Sequence, residues 1–402
     1  MKCLLLCALF FSLFSLSMQA NSLSPKKIDR LNQTLQSWVD SGKYAGIINL
    51  TAFHQTIAHF EAYGYRDLDS RAPMETDTLV RIYSMTKPIV SVAVMQLVEQ
   101  GKLSLDTPIT DHFPEFKKLQ VYEAGRRVAP KRALTVKHLL THTAGFSYGW
   151  GEHPVDEAYR EMDIFSNLRN SKAFVKKIAE LPLIYHPGEK WHYSIAVDLQ
   201  GILIERVSGM SLGDYLKKEF FEPLGMNDTS FQVPKSKKRR FSSNYQAVDG
   251  QLVLKDSYSD STYYDKKTFQ SGGGGLVSTA QDYYQFARML LNGGELNGKR
   301  YLKKTTLDLM TRDHLCDILE NPEDPWTEHS FGLDDSKFGL GFKLTVIEDP
   351  ETGAEITQQY SWNGAAGTEF WVDPISELVN ITLIQKLESD WTLRADMEKL
   401  VY

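Results

Sequence analysis

Arg81-Ile82-Tyr83-Ser84-Met85-Thr86-Lys87-Pro88-Ile89 leads directly into an apolar run that lasts to Val98. Residues three apart on a helix share a face, so Ser84 and Lys87 stand together. A hydroxyl is a poor nucleophile until a base takes its proton, and an amine desolvated among apolar side chains can be that base. Ser-x-x-Lys is therefore the pattern of an acylatable serine. Pro88 has no N–H to offer a carbonyl four residues back, so the helix is predicted to begin close to Ser84, where first-turn amides lack intrahelical partners. A helix apolar on nearly all sides and stopped at Gly101 is expected to run through the protein centre. Ser24-Pro25-Lys26-Lys27 repeats the same four-residue pattern, so context must separate the two copies.

The chain has 402 residues, 42% hydrophobic and 24% charged, which is the balance of a folded globular protein. A net charge of −6 gives no reason to expect nucleic acid or an anionic membrane as partner. The first twenty residues read as a secretory signal: Lys2 supplies the positive end, Leu4 to Leu16 the apolar core, with cleavage after Ala20 or Ser17. That core is too short for a membrane span. Export to the periplasm or the medium is expected. Cys3 and Cys7 would leave with the signal, and Cys316 alone cannot form an intrachain disulfide. Asp313 and Asp317 flank it and disfavour a thiolate, so a structural cysteine is expected rather than a nucleophile.

Helical spacing appears over Ile28 to Val39, Thr135 to Thr141, Ser171 to Glu180, Ser194 to Val207, Ser211 to Phe220, Thr279 to Leu291 and Thr392 to Val401. Strand patterns occupy Gly46 to Tyr65 and Arg240 to Lys255. They return over Leu340 to Ile347, Thr368 to Val372 and Val379 to Ile384. Strands at both ends with helices between predict one sheet built from both termini. The division expected is a sheet subdomain, 21–83 with 256–402, and a helical subdomain, 84–255. The basic run Lys235 to Arg240 reads as a solvated face.

Further blocks follow the opening motif in order. They are Leu139-Leu140-Thr141-His142-Thr143-Ala144-Gly145, Tyr193-Ser194-Ile195, Glu222 to Thr229, Gly273 to Thr279, Trp362-Asn363-Gly364 and Gly367 to Pro374. Together they resemble the serine β-lactamase and penicillin-binding-protein superfamily, most closely its class C branch and the related family VIII carboxylesterases. The resemblance implies an α/β (α+β) fold of the β-lactamase/transpeptidase type: an antiparallel sheet flanked by helices, with an all-helical subdomain. It also implies Ser84 as nucleophile, Lys87 as base and Tyr193 as a second proton carrier. The backbone N–H groups of Ser84 and Ala365 would form the oxyanion hole, and Trp362, Asn363, Gly364 and Ile195 would face substrate.

Two positions depart from the β-lactamase pattern. Ile195 stands where an amide holds a substrate side chain. Trp362 stands where a lysine recognises a carboxylate, and an indole wall suits an uncharged acyl or alcohol group. The related esterases often carry glycine where Asn363 stands. Ester hydrolysis is therefore expected ahead of β-lactam or D-amino-acid peptide cleavage, and a silent binding protein last, on a small-molecule ester or amide. No cofactor or metal is indicated. Three other features have plainer readings. Gly209-Met210-Ser211-Leu212-Gly213 fits a nucleophile elbow, but a helix precedes it where a strand is required, and Ser211 with Asp214 makes a helix start. Gly272 to Gly275 lacks a phosphate-gripping lysine and reads as a tight backbone passage. His142 reads as a satisfied structural histidine.

Overall fold

The computed structural model describes residues 23–319, 321, 325, 336–349, 352–388 and 392–402. The segment read as a signal lies outside them. Helix α1 (Pro25–Asp40) starts with proline in its first turn and Ser24 as cap, whose hydroxyl accepts the Lys27 N–H. The second Ser-x-x-Lys copy is thus a helix start at the surface. Leu31 and Leu35 bury the inner stripe of α1.

Strands β1 (Gly46–Phe53), β2 (Thr56–Asp67) and β3 (Ala72–Pro73) form one edge of an eight-stranded sheet. The rest comes from the C-terminal part of the chain, in spatial order Lys337–Phe338, Lys343–Glu348, Glu355–Asn363, Glu369–Asp373 and Leu378–Ile384. Every pair in the sheet is antiparallel. The two termini meet where Ile47 pairs with Ile384 and Leu50 with Ile381, as the strand pattern predicts.

Helices cover both faces. Leu31, Leu35, Trp371, Met397 and Leu400 form one cluster, which joins α1 and the C-terminal helix Leu393–Val401 to the sheet. On the other face the Ala280–Leu291 helix joins the main core. Helix α2 (Thr86–Glu99) runs through that core, with every residue from Thr86 to Leu97 buried. Burying each of its large aliphatic side chains contributes about 1.5–3 kcal/mol.

The helical region continues with α3 (Val136–Leu140), α4 (Pro154–Met162), α5 (Ser171–Ala179) and α6 (Ala196–Ser208). The hairpin Asn244–Val248 with Gln251–Asp256 belongs to a small three-stranded sheet apart from the large one. Its first strand pairs in parallel with Lys386–Leu387. Its side chains also grip β4 (Val80–Arg81), the strand that leads to Ser84. Arg81 is fully buried and donates to Asp256 Oδ2 at 2.7 Å and the Ser242 carbonyl at 2.7 Å. Its guanidinium lies 4.1 Å from the Phe241 ring centre.

Candidate active site

Tyr83, just before Ser84, has φ of +43°. This left-handed conformation is costly for a bulky residue and persists only where its surroundings hold it. The Tyr83 hydroxyl accepts a hydrogen bond from Asn244 Nδ2 at 2.8 Å, and Gly274 packs against the Tyr83 backbone. A short 3-10 turn, Tyr83–Met85, then delivers the chain into α2. Ser84 is half-buried and Lys87 is 2% exposed. Lys87 Nζ donates to Ser84 Oγ at 3.3 Å, to Tyr148 Oη at 3.1 Å and to the Gly273 carbonyl at 2.6 Å.

The glycine run is the tight passage expected. A Cβ on Gly272 would stand 2.5 Å from the Val197 carbonyl, and one on Gly273 2.4 Å from Asp198 Oδ2. Only glycine lets the backbone thread between Asp198 and Lys87 and present its carbonyl to the amine.

Tyr193 approaches Lys87 with its ring, whose centre is 4.5 Å from Nζ. The phenol oxygen that Lys87 reaches belongs to Tyr148, in the loop after α3. Tyr148 in turn donates to Asp198 Oδ2 at 3.3 Å. Burial, reinforced by Asp198 and Tyr193, holds the Tyr148 phenol well above its usual range. Burial also pushes the Asp198 carboxyl up, against the opposing pull of Lys87. Neither Tyr148 nor Asp198 carries a sequence signal. An acid in the first turn of α6 is ordinary helix chemistry.

Aromatic rings wall the site. Trp150 stacks on Tyr148 at 4.6 Å and 15° while remaining 57% exposed. Tyr193 lies 5.7 Å from Trp362, which meets Phe338 edge-on at 5.6 Å. The buried Trp362 Nε1–H has no partner among the described residues. Ser271, bonded to Asp198, also lines a cavity of about 550 Å³ with Phe165, Phe231 and Phe269.

Trp362 and Asn363 end the strand Glu355–Asn363. This strand is interior to the sheet, but pairing with Lys343–Glu348 stops at Ser361, so its last two residues have one open side. Gly364 then passes the strand that leads to Ser84: a Cβ there would stand 2.4 Å from the Ile82 carbonyl. The turn closes through the Gly364 and Gly367 N–H groups, which leaves that of Ala365 out of the closure. Ala365 and Asn363 are exposed.

Several expectations are corrected here. Ile195, placed among the substrate contacts, is fully enclosed in the core ahead of α6 and lines no surface. His142 is buried, but its Nδ1 has no partner among the described residues. Burial, with Lys87 and His192 nearby, holds its pKa well below the usual imidazole range, so it packs as a neutral ring against Trp191 and Tyr193. Cys316 is exposed and donates to Asp313, which raises its thiol pKa, so it props no core. Ser211 caps the next helix at the surface and accepts the Asp214 N–H, as the helix-start reading has it. Lys237 and Arg240 of the basic run both pair with Asp228.

Residues 31–400 match the family described as Beta-lactamase. An uncharacterized protein of Mycobacterium tuberculosis is 33% identical over 371 residues, covering 89% of this chain and 90% of that protein. Esterase EstB of Burkholderia gladioli is 29% identical over 379 residues, covering 86% of each chain. Simvastatin synthase (LovD) from Aspergillus terreus superposes with a TM-score of 0.78 at 22% identity, covering 94% of this chain and 97% of that one. The last likeness concerns the fold.

Proposed function

Because the chain belongs to the Beta-lactamase family and is an enzyme of its serine-hydrolase fold, we propose that it is an exported carboxylesterase acting on small, uncharged esters through an acyl-enzyme at Ser84. One observation carries this reading: a buried Lys87 amine lies 3.3 Å from a half-buried, reachable Ser84 hydroxyl. Ser84 Oγ attacks the ester carbonyl while Lys87 Nζ takes its proton. The oxyanion rests between the N–H groups of Ser84 and Ala365. The C–O bond to the alcohol then breaks, and the departing oxygen takes the proton that Lys87 accepted, while the Tyr193 ring stands over the amine. Water cleaves the acyl-enzyme by the same steps in reverse.

Esters are favoured over β-lactams because Trp362 puts an aromatic wall, with an unused indole N–H, where a carboxylate-binding lysine would be needed. EstB carries the name of an esterase. Export rests on the character of the first twenty residues.

The test pairs p-nitrophenyl butyrate turnover with fluorophosphonate labelling. The label is expected on Ser84, and Ser84→Ala should cut hydrolysis by at least about a thousandfold while the protein stays folded. A label on Ser211, or efficient turnover of a chromogenic cephalosporin with negligible ester cleavage, overturns the reading.

A further inference from the structure

We infer that Asp198 is a positioning residue: its carboxylate fixes both polar partners of Lys87 and supplies the buried counter-charge for the lysine. This rests on the reading of Ser84 and Lys87 given above. The carboxyl group is fully buried and its two oxygens divide the work. Oδ1 accepts Ser271 Oγ at 2.5 Å and the Gly273 N–H at 3.1 Å. Oδ2 accepts the Tyr148 hydroxyl at 3.3 Å. Gly273 and Tyr148 are the two groups, besides Ser84, to which Lys87 Nζ donates. Each arm is a two-step link: Asp198 holds the Gly273 amide whose carbonyl holds Lys87, and it holds the Tyr148 hydroxyl that accepts from Lys87.

Three donors converge on one carboxyl, and that geometry suits the ionised form. Tyr148 contributes its one proton toward Asp198 and its lone pair toward Lys87, so the phenol is oriented by the charge behind it. Among the described residues the titratable groups that face Lys87 are Tyr148, Tyr193, His142 and Asp198, and Asp198 is the acid among them. Through the Tyr148 oxygen the amine and the carboxylate are two hydrogen bonds apart, close enough for each to change the other's proton affinity. In the acylation step Lys87 must start without its extra proton. Asp198 holds the amine in line with the serine through both of its polar partners.

The test measures the rate of fluorophosphonate labelling against pH for the full protein and for Asp198→Asn, which keeps the shape and removes the charge. Loss of the negative charge disfavours the ammonium, so the acid limb of the profile should move down by about one pH unit. The plateau rate should fall at least about tenfold as the amide misdirects Tyr148 and Gly273. A role in folding alone would lower thermal stability and leave the limb in place, and that result overturns the inference. Should Asp198→Asn fail to fold, Tyr148→Phe removes the bridging hydroxyl and keeps the ring. A labelling rate and limb equal to wild type in that variant would likewise overturn it. Failure of the Ser84 reading is separate: it shows as label appearing elsewhere in the unmodified protein.

Discussion

Gly364→Ala tests whether the turn that bears Ala365 belongs to the reactive centre. A methyl on Gly364 would lie 2.4 Å from the Ile82 carbonyl and 2.3 Å from Thr368 Oγ1. The first neighbour is backbone of the segment that carries Ser84, and the second is itself bonded to Ile82. Neither can swing aside as a free side chain would. Ordinary contact distances are regained only if the turn and the Ser84 segment part by about 1 Å. Such overpacking costs about 1–3 kcal/mol of stability, which a chain of this size survives. A 1 Å misplacement of donors aimed at a developing oxyanion costs about a hundredfold in rate. The expected variant is folded, with a thermal midpoint a few degrees lower, and kcat/KM for p-nitrophenyl butyrate falls about a hundredfold. The loss should sit in kcat, because the ground-state ester does not yet carry the charge. A folded Gly364→Ala enzyme with near wild-type kcat would show that the Ala365 N–H takes no part in the reaction.

Three further outcomes follow from other sites. Burial, reinforced by Glu398 and opposed by Arg394, pushes the Glu369 carboxyl up to about 8. The folded state then keeps a proton that the unfolded chain gives up from about pH 4.5, so stability is full below that value and falls as pH rises toward 8. The loss is on the order of 4 kcal/mol. Glu369→Gln should flatten the fall, as read by urea melts at pH 5 and pH 8.5; parallel losses in both proteins would refute the assignment. Ser211→Ala should cost about 1 kcal/mol in a denaturant melt through loss of the helix cap and leave ester hydrolysis unchanged. Trp150→Ala should raise KM for an aryl ester several-fold with little effect on kcat or thermal midpoint, since the ring is 57% exposed and stacks on Tyr148.

The elements that sequence reading recovered are those governed by local rules. Helix starts at Thr135, Ser211 and Thr279 follow from side-chain caps. Ser84 and Lys87 are three apart on one helix, so their meeting needs no tertiary information. Tyr148 is different: 61 residues separate it from Lys87, and only the folding of the loop after α3 brings its hydroxyl there. Asp198 was hidden for another reason. Its place in the first turn of a helix already has a sufficient explanation in helix electrostatics. Ile195 misled because a motif position is defined by sequence order, whereas contact with a cleft depends on which way the side chain turns; this one turns inward. The pairing of Tyr245 with Lys386 was not legible either, because a strand so far along the chain leaves no local signal in the hairpin it joins.

Helix α2 is enclosed on every side, and the Ser84–Lys87 pair proposed as the reactive centre rides at its start. The rings at the mouth, Trp150 and Phe165, are exposed and belong to loops. Under the proposed function, tolerance to substitution divides into two separable parts. Substitutions at the rim can retune which ester fits at small cost to stability, while substitutions beneath Ser84 disturb the core itself. An enzyme built this way can drift readily between acyl and alcohol groups yet is slow to change its chemistry. Room for substitution lies in the aromatic loops, and resistance to it in a single buried helix.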